Sequence, residues 1–144
     1  MTDAPVKHFP RPTPETEAYW EGCRKHELLL QRCTQCSEFQ FYPRIICTNC
    51  ASENLEWVKA SGRGQVLTFT IVRRAVSEAY AADVPYVVAL IQLDEGPTMM
   101  SNVVQCDPET LEVGGPVQVV FEDWSEEFSI PQFRPVSPAE VAKK

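Results

Sequence analysis

Residues 28–50 read LLLQRCTQCSEFQFYPRIICTNC. Cys33 and Cys36 form one C-x2-C turn, Cys47 and Cys50 form a second, and ten residues separate them. Short strand signals lead into the first pair (Leu28–Cys33) and lie between the pairs (Phe39–Tyr42, ended by Pro43). Two C-x2-C turns at the tips of short hairpins aim four thiolates at one tetrahedral centre. All four positions are then filled by protein, which leaves none for water or a reacting group. The expected ion is structural zinc, with tetrahedral iron as the chemical alternative at four sulfurs. The short interval and the lack of glycine after each C-x2-C favour zinc.

Upstream, Thr13-Pro14 reads as a helix start, with a hydroxyl cap and proline at the first helical position. Glu15 and Glu17 suit the first turn, and Arg24 and Lys25 the last. The helix Pro14–Lys25 places Tyr19, Trp20 and Cys23 on one face. That stripe reads either as core packing or as a surface that docks a partner.

Downstream of Leu55–Lys59, the chain reads as β throughout. Ser61-Gly62-Arg63-Gly64 is a turn. Strand signals follow over Gln65–Arg74, Tyr86–Leu93, Met99–Gln105, Val117–Glu122 and Phe128–Phe133. Asp94-Glu95-Gly96-Pro97 closes a hairpin, Asp107–Glu112 is a single helical turn, and Gly114-Gly115-Pro116 restarts the sheet. The expected fold is mainly β: an N-terminal helix, a zinc ribbon, then a five- to six-stranded barrel of the OB type. The expected divisions are 1–27 for an arm and helix, 28–58 for the ribbon, 59–136 for the barrel and 137–144 for a tail.

Composition narrows the function. The net charge of −7 is unevenly spread. Residues 1–74 carry ten Lys or Arg against eight Asp or Glu, whereas residues 75–133 carry eleven acids and no Lys or Arg. An acidic barrel segment with no Lys or Arg over 59 residues cannot track a phosphate backbone, which argues against a nucleic-acid-binding ribbon and barrel. No apolar run reaches the roughly 18 residues of a membrane helix. The proline-punctuated start carries Lys7, His8 and Arg11 and has no signal-peptide core. A cytoplasmic setting is expected, where thiols stay reduced.

No catalytic constellation is visible. The two histidines, His8 and His26, have no nucleophile beside them in sequence, and no phosphate loop is present. The carboxylate pairs Asp94-Glu95 and Glu126-Glu127 read as solvated turns. Cys23 and Cys106 read as small buried apolar groups. A nucleic-acid-binding module is one rival, and a self-sufficient enzyme using Cys106 or a buried acid is the second.

The order of parts carries a resemblance. A tryptophan-bearing helix, LLLQRCTQC (28–36), FQFYPRIICTNC (39–50), SGRGQVLTFTIVRR (61–74), PYVVALIQLDEGP (85–97) and CDPETLEVGGPVQVVFED (106–123) occur in sequence. Together they resemble a bacterial and archaeal family that joins a rubredoxin-like zinc ribbon to an OB-fold, long filed as a domain of unknown function. The resemblance covers about residues 9–135. His26 stands where relatives commonly have glycine, and glycine is missing after Cys36, so altered turns are expected at both.

What the resemblance implies is a non-catalytic accessory subunit of an acyl-CoA-processing complex. The catalytic partner would be a thiolase-superfamily enzyme that makes or breaks a carbon–carbon bond, or else a MaoC-like enoyl-CoA hydratase. The chain would brace that partner and help to complete its acyl-CoA site. Lys59, Arg63, Arg73 and Arg74 are then candidates for coenzyme A phosphates, or else ordinary strand-end charges. Tyr19, Trp20 and the long loop Ala75–Pro85 with Tyr80 are candidates for partner contact.

Overall fold

A computed structural model describes residues 7–137 of the chain. The expected tail from 138 onward and the first six residues of the arm lie outside the described residues.

Helix α1 spans Glu17–Arg24, three residues later than Pro14. Thr13 does not cap it. Thr13–Thr16 form a separate turn, in which the Thr13 N–H donates to Thr16 Oγ1 at 2.8 Å and the Glu17 N–H donates to the Thr13 carbonyl at 2.9 Å. The helix ends in a double wrap. The His26 N–H donates to the Cys23 carbonyl and the Glu27 N–H to the Gly22 carbonyl, both at 2.8 Å, with His26 at φ 60°. This pairing is the Schellman arrangement, whose left-handed residue is usually glycine.

Three strands make the ribbon sheet: β1 (Leu29–Cys33), β2 (Phe39–Gln40) and β3 (Leu55–Lys59), in the order β2-β1-β3 and antiparallel. β2 is two residues shorter than the apolar run suggests, and Tyr42, which precedes the N–H-less Pro43, stands exposed. β3 pairs with β1 over its whole length, from Leu29↔Lys59 to Cys33↔Leu55.

The barrel contains five strands: β4 (Arg63–Val72), β5 (Tyr86–Leu93), β6 (Thr98–Val103), β7 (Pro116–Asp123) and β8 (Ser129–Pro135). It closes in the order β4-β5-β6-β8-β7. The β6–β8 junction is the thin one: a single parallel register pair, Val103↔Phe133, with the Val104 N–H donating to the Phe133 carbonyl at 2.7 Å. Gly64 sits where β4 crosses β5, and a Cβ there would lie 2.5 Å from the Gln92 carbonyl oxygen. The long 73–85 loop is not irregular, since Glu78–Asp83 winds into a 3-10 helix.

One apolar core runs through both parts. Val66, Val87, Ala89, Ile91, Leu93, Met99, Val103, Val117 and Phe133 fill the barrel. Tyr19, Cys23, Leu28, Leu30 and Ala60 continue the same cluster beneath the ribbon. Cys23 is fully buried, which pushes its thiol up to about 12. No helix among the described residues is long and apolar enough to cross a membrane.

Candidate metal centre and its surroundings

The two C-x2-C turns meet. The Sγ atoms of Cys33, Cys36, Cys47 and Cys50 all lie within 4.8 Å of one another, with Cys33–Cys50 and Cys36–Cys47 at 3.6 Å. A tetrahedron with metal–sulfur bonds of ~2.3 Å has sulfur–sulfur edges of about 3.8 Å, so the set fits a four-coordinate zinc ion. Backbone N–H groups point at the sulfurs: Cys36 to Cys33 Sγ and Cys50 to Cys47 Sγ at 3.4 Å, and Asn49 to Cys47 Sγ at 3.3 Å. The Cys36 N–H is the main reason the Cys33 thiol falls to about 6. The Asn49 side-chain amide does the same for Cys36, lowering its thiol. Cys50 behaves oppositely. Although the Ser52 N–H pulls it down, burial and the other three sulfurs hold its thiol up at about 12. Four sulfurs this close cannot all ionise without a cation among them, which is the electrostatic signature of a metal site.

Each turn closes through a left-handed residue. The Ser37 N–H donates to the Cys33 carbonyl at 2.8 Å and the Ala51 N–H to the Cys47 carbonyl at 2.9 Å, with φ of 68° and 66°. His26 and Ser37, where altered turns are expected, both sit in the left-handed region. Non-glycine residues hold the conformation that favours glycine, because the flanking hydrogen bonds fix it.

A buried amide pair positions the second turn, and the sequence reading missed it. Gln31 and Gln40 face each other across β1 and β2, and the Gln40 Nε2 donates to Gln31 Oε1 at 2.8 Å. Gln31 also accepts from the Arg44 N–H at 2.8 Å and donates to the Arg44 carbonyl at 2.9 Å. Gln40 Oε1 accepts from the Thr48 N–H at 2.9 Å. The segment leading into Cys47 is thus anchored by side chains in place of a strand. The available signal was a glutamine at an inward position of each strand, where an apolar residue is the rule.

The other candidate residues fall apart in space. Lys59 ends β3 and Arg63 opens β4, while Arg73 and Arg74 follow the end of β4. The ten residues of β4 at about 3.3 Å each separate the two pairs by about 30 Å of strand path. The four cations do not form one phosphate site. Lys59 pairs with Glu27 at 3.7 Å, and Arg73 binds Glu109. Tyr19 is 6% exposed, packed edge-on to Trp20 and Phe41 inside the chain's own core, so as a partner contact it is corrected. Trp20 is half-buried against Phe128, and Tyr80 lies half-buried on the 3-10 helix. Cys106 is half-buried, and burial, with Asp107 beside it, pushes its thiol up, the opposite of an activated nucleophile.

Residues 20–56 match the family model for the ChsH2 rubredoxin-like zinc ribbon domain, and residues 57–122 that for the ChsH2 C-terminal OB-fold domain. A DUF35 domain-containing scaffold protein of Methanothermobacter thermautotrophicus is 35% identical over 115 residues, covering 78% of this chain and 86% of that one. This chain belongs to the ChsH2 (DUF35) family. A probable enoyl-CoA hydratase alpha subunit of Thermomonospora curvata is 34% identical over 133 residues, which cover 91% of the ChsH2-family chain but 41% of that relative. The chain therefore spans about two-fifths of that protein's length. The benzoylsuccinyl-CoA thiolase subunit BbsA of Geobacter metallireducens is 30% identical over 94 residues, 61% of this chain and 62% of that one. Among solved structures, the Ltp2-ChsH2(DUF35) aldolase contains a chain that superposes with a TM-score of 0.80 at 31% identity, covering 88% of this chain and 98% of that chain.

Proposed function

We propose that this ChsH2-family chain is a non-catalytic, zinc-bearing accessory subunit that docks on the catalytic subunit of an acyl-CoA-processing complex. The observation that carries the reading is strand β5, which is apolar on both faces from Tyr86 to Ile91. Val87, Ala89, Ile91 and Leu93 point into the barrel. Their neighbours Tyr86, Val88 and Leu90 face outward and are joined by Met100, paired with Leu90 and 59% exposed. Antiparallel sheets with one solvated face alternate apolar and polar residues, and a strand apolar on both faces is one that is covered on both. On the ribbon, Tyr42, Ile45 and Ile46 add a second exposed apolar group beside the anchored loop, with Ile45 71% exposed. Apolar surface of this kind marks protein–protein contact. The closed set of four sulfurs gives the metal a bracing role and leaves it no position for a substrate.

The partner class follows from the relatives. A thiolase subunit and an aldolase both appear among them, and both names denote carbon–carbon bond chemistry. The partner proposed here is accordingly a thiolase-superfamily enzyme. The Thermomonospora relative supports a hydratase as the second reading. At a shared acyl-CoA site, the cations this chain offers a coenzyme A phosphate are Arg73 and Arg74, adjacent at the mouth of the 73–85 loop, and not the four together.

Co-purification of the tagged chain from its native host, with mass spectrometry and a zinc assay, tests this. The expected result is a thiolase-like protein and about one zinc per chain. Recovery alone, or with nucleic acid, sinks the accessory role. Met100→Glu should abolish recovery of the partner while zinc content and thermal unfolding stay as in the parent.

A further inference from the structure

From Lys7 onward, the N-terminal arm does not trail away from the barrel. Lys7 enters a cleft between the 3-10 helix Glu78–Asp83 and the end of β7. Its ammonium nitrogen lies 2.8 Å from Asp83 Oδ2 and 3.7 Å from Glu122 Oε1. The same nitrogen stands 5.7 Å from the centre of the Tyr80 ring and 5.6 Å from that of Trp124. Two exposed carboxylates and two aromatic faces thus flank one half-buried ammonium, within the ~6 Å reach of cation–π attraction. By contrast, Lys25 and Lys59 each meet a single carboxylate.

Part of this enclosure is built without Lys7. The Trp124 Nε1–H donates to Glu122 Oε1 at 3.1 Å, so the indole fixes the oxygen that faces the ammonium. The cleft is part of a cavity of about 550 Å³ whose walls also include Val76, Val87, Asn102, Cys106, Ile130 and Gln132. Residues of both β6 and β8, the barrel's thinly joined strands, line it. Residues 75–133 contain eleven acids and no Lys or Arg, so the positive charge here must come from outside that segment. In this structure the arm supplies it, and Phe9 holds the arm down by packing on Trp124 at 5.8 Å and on Phe128 at 5.9 Å.

We propose that Tyr80, Asp83, Glu122 and Trp124 form a binding site for a primary alkylammonium group, occupied in the free chain by its own Lys7. An external amine enters only when Lys7 leaves. The chemistry selects for charge and shape together: a carboxylate pair neutralises the ammonium, and the flat rings accept its methylene stem. A hydrated sodium ion supplies the charge but cannot use the rings. This inference is independent of the accessory-subunit reading.

The test follows the indole N–H signal of Trp124 by ¹⁵N NMR on the zinc-loaded full chain and on Lys7→Gln, titrated with n-butylammonium chloride. Sodium chloride at equal ionic strength is the control. Trp20 and Trp57 report whether the fold is intact. In Lys7→Gln, the Trp124 signal should shift saturably with n-butylammonium and at least tenfold more weakly with sodium. The parent should require at least tenfold more amine for the same shift. Lys7→Gln combined with Glu122→Gln should lose the response. An equal response from the parent and Lys7→Gln would overturn the proposal, as would a Lys7→Gln response no larger for amine than for sodium. Failure here with a thiolase-like partner still recovered would leave the accessory role standing, and the reverse would leave this site standing.

Discussion

Three residues other than glycine close the turns around the metal centre and the helix end: His26, Ser37 and Ala51, at φ of 60°, 68° and 66°. An L-residue in this region costs roughly 1–2 kcal/mol, partly offset by the ~0.5–1 kcal/mol of chain entropy that glycine would lose on folding. Ala51→Gly should therefore raise stability by about 0.5–1 kcal/mol, seen as a higher midpoint in denaturant with zinc bound. His26 differs, because its ring stacks on Phe121 at 5.2 Å and its Nε2 lies 2.7 Å from Asp123 Oδ1. Asp123 is held below the usual carboxylate range, first by the Ser129 hydroxyl and then by His26. A carboxyl depressed in the folded state stabilises above its unfolded value of ~3.9 and loses that contribution as pH falls through the folded value. Asp123→Asn should accordingly lower the denaturation midpoint at pH 7, and the gap from the parent should close below about pH 4. The four metal ligands were legible in the sequence because their spacing alone dictates the chemistry. The glycine-like turns were not, since φ depends on hydrogen bonds that no residue type announces.

The Gln31–Gln40 pair shows how an element can be ordered without being a strand. Gln40→Leu would take from Gln31 one of its three amide hydrogen bonds and leave the Thr48 N–H without its side-chain acceptor, a loss of about 1–3 kcal/mol in all. Zinc transfer to a chelating dye should then become several-fold faster, while the barrel amides keep their exchange protection. β4 shows the converse limit of reading elements from sequence. Its borders were legible to within two residues, yet which of the flanking cations could share one phosphate was not. Ten residues of extended chain carried them to opposite ends of the strand. The five barrel strands were visible through their β-branched and aromatic runs, whereas β2 was overestimated because an apolar run continues past the point where pairing stops.

At the scale of the molecule, zinc and the barrel contribute separately. Structural zinc is worth of order 10 kcal/mol to a ribbon, but Leu28 and Leu30, at the ribbon's base, belong to the barrel's core cluster. Stripping zinc with a chelator should abolish amide protection from about residue 34 to residue 54 and leave that of β5 in place, as hydrogen exchange would show. The arm was the part least legible in the sequence, since its contacts with Trp124 and Phe128 join residues more than a hundred positions apart. The continuous core also bears on how such a unit can be inherited. Tyr19, Cys23 and Leu30 would be bared to water if the chain were cut between ribbon and barrel, and Val66 and Phe133 would lose their neighbours. Recombination that split the gene at that seam would yield two sticky halves, so the pair can only be copied, lost or fused into a longer protein as one indivisible cassette.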